Sequence, residues 1–164
     1  MSITLLFLAL ATFASALSAG LFYAYHWTAM PGLNAADPMT AINALRSINV
    51  VITNPIFLFS FLGPLVFGAV AALLYLRAFG TAPALLVWAG VLVYALGVFA
   101  VTLAFNVPLN NQLAAANPTV ATAAAIWRAF YDPWMFWNFV RTIASIVSFV
   151  LFGAAMWFEA SART

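Results

Sequence analysis

A single histidine, His26, stands in a chain with no cysteine and three acids, so it is the one imidazole open to proton transfer near neutral pH. On an ideal helix Tyr23, His26, Trp27 and Met30 fall at i, i+3, i+4 and i+7 and share a face. Amides cluster elsewhere: Asn106, Asn110, Asn111 and Gln112 follow a long apolar run, and Asn43, Arg46, Asn49 and Thr53 form one stripe, with Asn54 beyond it. Trp134, Asn138 and Arg141 again repeat at i, i+4 and i+7. A base, a guanidinium and amide donors, set among Trp27, Trp127, Tyr131 and Trp134, suit a flat, apolar, oxygen-bearing ligand. Each group also has a plain reading: an aromatic belt around His26, an interfacial helix, amides ending a helix at Pro108, and Arg141 snorkelling to headgroups.

The elements that must position these residues are membrane helices. Of 164 residues 67% are hydrophobic and 5% charged, where soluble domains carry about 25% charge. Apolar stretches long enough to cross about 30 Å of hydrocarbon cover residues 3–30, 55–76, 83–105 and 133–158. Asp37-Pro38, Asn54-Pro55, Asn117-Pro118 and Asp132-Pro133 all read as an N-cap followed by proline at the first helical position. They delimit two short helices, 38–53 and 118–131, on one side of the membrane. The expectation is an all-α integral membrane four-helix bundle, one domain over 1–164, with two short interfacial helices on one side.

The two halves share a layout. Pro31-Gly-Leu-Asn34 and Pro108-Leu-Asn110 occupy matching places, as do Arg46 and Arg128, so an internal duplication and coincidence both fit. Arg163 and Glu159 mark an exit to water, and the acid-free loop around Arg77 favours cytoplasmic termini in a bacterial inner membrane. Ala14-Ser15-Ala16 resembles a signal-peptidase site, but no basic stretch precedes it, so a retained first helix is expected. Absent cysteines exclude thiol–disulfide chemistry, and one histidine with three scattered acids makes no metal site. The basic isoelectric point rests on five arginines and implies no nucleic-acid partner.

Asn106-Val-Pro-Leu-Asn110, then Trp127, Tyr131, Trp134, Asn138 and Arg141, resembles the pattern of the anthrone oxygenase-like family of small four-span membrane proteins. Met30-Pro-Gly-Leu33 and Asn43 through Asn49 to Asn54-Pro55 resemble its first half. The resemblance implies oxidation of an anthrone to an anthraquinone by O₂ without a cofactor. On that chemistry His26 is the expected base, Arg141 the oxyanion partner, Asn110 and Asn138 orienting donors, and Trp127 and Trp134 walls. Tyr23, Trp27, Asn49, Asn54, Asn106 and Tyr131 complete the expected substrate-binding set. Two other classes fit the same residues: a carrier for a quinone-like or lipid molecule, and a structural subunit whose polar stripe meets a partner chain or a second copy.

Overall fold

In the computed structural model residues 2–161 are described; Arg163 lies outside them. Four helices are long and apolar enough to span a membrane: α1 (Ile3–Asn34), α3 (Pro55–Leu74), α4 (Ala82–Ala115) and α5 (Ala123–Ser161). The short helix α2 (Pro38–Val51) links α1 to α3. α1 packs on α3 and α5, and α4 packs on the same two, so the spans form a square with α1 diagonal to α4.

Two of the four Asx-Pro pairs cap helices as expected. Asp37 accepts the Thr40 N–H at 3.0 Å, and hydrogen bonding from the Thr40 side chain first and its backbone second holds the carboxyl below the ordinary carboxylate range. Asn54 accepts from the Ile56 and Phe57 N–H groups, both at 3.0 Å. The other two pairs do not start helices, which corrects the expected helix 118–131. Thr119 and Thr122 close a turn after Pro118, and α5 then runs unbroken from Ala123 through Pro133. Interior proline costs about 3 kcal/mol. Trp127, Phe130 and Trp134 flank Pro133 on one buried face, and burying each contributes roughly 1.5–3 kcal/mol. Continuity therefore wins.

Prolines 31 and 108 do not end their helices either, contrary to the sequence expectation. A π-helical stretch precedes each: Tyr25–Ala29 in α1 and Thr102–Asn106 in α4. The Met30 N–H bonds to the Tyr25 carbonyl and the Val107 N–H to the Thr102 carbonyl, five residues back in both cases. Such a wide turn changes which carbonyl lies beneath the following proline ring, so the helix survives the missing N–H. α1 then reaches Asn34 and α4 reaches Ala115. At 1.5 Å per residue, the 34 residues of α4 and 39 of α5 give lengths of about 50 and 60 Å, well beyond the hydrocarbon thickness. Their excess projects at the α2 end.

The opposite end is closed and apolar. Leu8, Tyr75, Val87 and Phe152 share its core, and Phe152 fits because Cβ atoms at Gly68 and Gly90 would each approach its ring to 2.8 Å. Tyr75 donates to Glu159 Oε2 at 2.5 Å, and Ser2 to Glu159 Oε1 at 3.4 Å, which ties the start of α1 to the last turns of α5 at this face. Midway, Pro64 has no N–H for the Ser60 carbonyl; Ser18 Oγ donates to it instead, at 2.6 Å. Tyr94, fully buried, adds a bond to the Phe61 carbonyl at 3.0 Å. At the α2 end, α2 packs on α5 and on the last turns of α1 and α4. The α3 side of that end is left with a hollow.

Candidate functional site

The hollow is a cavity of about 330 Å³ walled by α1, α2, α3, α4 and α5. Phe22 and Tyr25 come from α1, Asn49 from α2, Phe57 and Phe61 from α3, Thr102, Asn106 and Asn110 from α4, and Trp134, Asn138 and Arg141 from α5. No lining residue is acidic. The wide turn Thr102–Asn106 matters here, because it presents Thr102 and Asn106 to the same wall while the helix continues to Asn110.

Arg141 is the centre of the site. It is 6% exposed, so it does not snorkel to headgroups. Its Nη2 donates to Asn138 Oδ1 at 2.8 Å and Nη1 to Thr102 Oγ1 at 3.3 Å. The guanidinium carbon lies 4.6 Å from the Phe22 ring centroid and 5.3 Å from that of Trp134, within cation–π range. Its Nε is buried without a hydrogen-bond partner, and no salt bridge joins the group to an acid among the described residues. A desolvated cation held by neutral groups alone is costly, and an anionic or carbonyl oxygen in the cavity relieves it. Arg141 is 18 residues before Glu159, or about 27 Å of helix, which sets it near the far edge of the hydrocarbon.

The amides divide by role. Asn138 donates one amide hydrogen to the Phe22 carbonyl at 3.0 Å and accepts from Arg141, so it orients the guanidinium. Asn110 Oδ1 accepts from the Trp134 indole at 2.9 Å, which fixes that ring as a wall. Asn106 is 1% exposed; its Nδ2 donates weakly to the Trp134 carbonyl at 3.4 Å and its Oδ1 has no partner. Asn49 lines the cavity on the α2 side.

The remaining expected residues lie elsewhere. Asn54 spends its amide on the α3 cap and on the Val51 carbonyl, and does not line the cavity. Trp127 donates to Asn34 Oδ1 at 2.8 Å and, with Tyr131, borders a separate groove of about 430 Å³ shared with Arg128 and Asp132. Tyr23 and Trp27 are exposed on the outside of the bundle. His26 packs its ring against Trp27 and Phe139, at 4.8 and 5.2 Å between centroids, and is not among the residues around the cavity. The cavity-facing residues of α1 are instead Leu21, Phe22 and Tyr25. One consequence of the wide turn at Tyr25–Ala29 is visible in Met30, fully buried although an ideal helix places it with exposed Tyr23 and Trp27. One extra residue in a turn rotates the rest of the helix by about 100°.

Sequence reasoning missed Phe22, Tyr25, Phe57, Phe61 and Thr102. Thr102 carried a signal, four residues before Asn106 on the same helix. The phenylalanines carried none, lying among 16 in the chain.

The mouth of the cavity is rimmed by Thr53, Leu58, Leu103, Val107 and Asn111, each both lining and exposed. α3 packs on the first part of α4 and separates from the part beyond it, so the mouth opens sideways between them. Three rim residues are apolar and two polar, which matches the boundary between hydrocarbon and headgroups. Among the described residues no three His, Cys, Asp or Glu side chains come together as a metal set.

A family model described as anthrone oxygenase matches residues 57–151, more than half the chain. The chain belongs to the anthrone oxygenase family. The family match covers α3, α4 and most of α5, and so includes Asn106, Asn110, Trp134, Asn138 and Arg141. It begins after His26, Asn49 and Asn54. No curated protein and no solved structure matches the chain.

Proposed function

We propose that this chain binds an anthrone-like aromatic ketone in the Arg141 cavity and promotes its oxidation by O₂ without a cofactor. The observation that carries this reading is a buried guanidinium that lines an aromatic-walled cavity and packs on the Phe22 and Trp134 rings, with no carboxylate among the lining residues. An anthrone loses a proton from its central methylene to give an electron-rich oxyanion. Arg141 stabilises that anion, and Phe22 and Trp134 hold the rings beside it. The anion then reduces O₂; one oxygen atom becomes the new carbonyl and the other leaves as water with the two methylene hydrogens. No imidazole or carboxylate lines the cavity, so the proton departs to water at the mouth rather than to His26.

Protein reconstituted in nanodiscs and given a tricyclic anthrone should take up O₂ above the autoxidation rate of the buffer. Arg141→Ala should remove that excess, since losing one oxyanion donor costs on the order of 10²–10³-fold. Wild-type uptake equal to autoxidation rejects the reading. The same lack of a base in the wall favours a second one, a carrier for an anionic or quinone-like molecule; tight binding with no uptake would identify it. We also assign the chain to a bacterial inner membrane with both ends cytoplasmic, from the acid-free loop around Arg77. An alkaline phosphatase fused after Thr164 should then stay inactive.

A further inference from the structure

We propose that the Arg141 cavity is loaded from the bilayer, sideways between α3 and α4, so that its ligand is a neutral, membrane-dissolved molecule screened by Leu58, Leu103 and Val107. This deepens the proposed function and rests on the cavity as the ligand site, which the oxygenase and carrier readings share. Three of the four neighbouring helix pairs are tied together. Asn138 bonds to the Phe22 carbonyl and joins α5 to α1, while Arg141 and the Trp134 indole bond to Thr102 and Asn110 and join α5 to α4. α1 packs along α3, with Ser18 bonded to the Ser60 carbonyl. The fourth pair is different. Between α3 and α4, Tyr94 donates to the Phe61 carbonyl at 3.0 Å, and the Phe61 ring lies 5.8 Å from that of Phe99. Toward α2 from there, no hydrogen bond or ring pair joins these two helices among the described residues.

This gap reaches into the hydrocarbon. α3 has 20 residues, about 30 Å of helix, so its two ends mark the two edges of the apolar layer. Leu58 is one turn in from the start of α3, about 4–5 Å below that edge. On the other side of the gap Leu103 is 53% exposed, and it follows exposed Leu92 and Leu96 on the lipid-facing side of α4. Val107 and Asn111 come next along α4, so the rim grades from apolar to polar toward the headgroups, where Thr53 stands just before α3. A neutral aromatic molecule crosses an apolar sill of this kind readily, whereas an ion meets a large desolvation cost. The reactant therefore enters uncharged, and an anion formed beside Arg141 is held until it is neutral again.

The chain has no cysteine, so one engineered thiol reports access to one place. Thr102→Cys sets a thiol on the cavity wall beside Arg141, whose charge favours the reactive thiolate. The protein in nanodiscs is treated with N-phenylmaleimide, which is neutral, or with its para-sulfonate, which stays in water. Val120→Cys, in the exposed turn before α5, gives the reference rate for each reagent. Relative to that reference, the neutral reagent should modify the Thr102→Cys protein at least about tenfold faster than the sulfonate, because charge is costly at this depth. Adding Leu58→Trp and Leu103→Trp should narrow the gap and slow the neutral reagent at the wall about tenfold, with no change at the turn. Equal relative rates for the two reagents overturn the proposal, since entry is then from water. A wall thiol that neither reagent reaches overturns it too, as does a neutral-reagent rate that the paired tryptophans leave unchanged. Phe61→Cys, on the α3 wall, supplies the thiol if Thr102→Cys does not fold. The labelling uses neither ligand nor O₂, which separates this inference from the oxygenase reading. Preferential labelling with no O₂ uptake sinks only that reading; O₂ uptake with equal labelling sinks only this one.

Discussion

Two helix ends in this bundle are built alike and put to different use. In α1 a wide turn over Tyr25–Ala29 precedes Pro31 and then Asn34, which accepts from the Trp127 indole. In α4 a wide turn over Thr102–Asn106 precedes Pro108 and then Asn110, which accepts from the Trp134 indole. The two tryptophans are seven residues apart on α5, on one face. Around the first end, Met30 packs with Ala41, Ile42 and Leu45 of α2, and the space is filled. Around the second, α2 and α3 leave the wall open, and Thr102, Asn106 and Asn110 face a cavity. The same local device closes one region and shapes a site in the other; the neighbour decides which.

The arginines break the likeness. Arg46 on α2 donates through Nε and Nη2 to the Leu113 carbonyl, at 3.0 and 2.6 Å, and through Nη2 to the Ala116 carbonyl at 2.5 Å. It thereby satisfies carbonyls at the end of α4, where a cation is also favoured by the helix dipole. Arg128, its counterpart by position, is exposed beside the second groove. Arg46→Met should therefore give the largest stability loss of this group, roughly 2–3 kcal/mol by thermal or denaturant unfolding in detergent. If the melting midpoint does not move, the end of α4 is held by something other than Arg46.

Trp134→Phe removes the indole donor to Asn110 while keeping a ring. It should weaken anthrone turnover about tenfold, equivalent to about 1.4 kcal/mol, through loss of wall position. Trp127→Phe makes the matching change at the filled end. It should cost about 1 kcal/mol of stability and leave O₂ uptake per folded molecule unaltered. Equal effects of the two substitutions on uptake would show that the two ends share one function. The smallest effect is expected for His26→Ala. Its ring packs on Trp27 and Phe139 outside the cavity, so uptake should stay within about twofold. A collapse of activity there would return the imidazole to the chemistry.

Much of the candidate site could be read from spacing. Trp134, Asn138 and Arg141 lie on an undistorted helical stretch, and they meet at the cavity because the 3.6-residue period holds across it. The period misled at Met30, where a wide turn intervened. Tyr23 and Trp27 share a face as ideal geometry dictates, yet that face points outward, and the inward one carries Phe22 and Tyr25. Prolines misled in the same manner, since Pro31, Pro108 and Pro133 all lie within helices.

By itself the sequence determined that this is a membrane protein with four apolar spans, because so few charges cannot cover a soluble surface. It left two places for one guanidinium and several amides, inside the bundle or at the headgroup boundary, since hydrocarbon offers them no partners. Which partners they found was left to the tertiary structure. A proline reads as a stop or passes unnoticed depending on the turn before it and on what its flanks bury. Asn54 became a cap and Asn106 a buried cavity-wall residue because one stands at a helix start and the other on a wide turn inside the bundle. Those outcomes depend on packing between segments far apart in the chain, which no local pattern encodes.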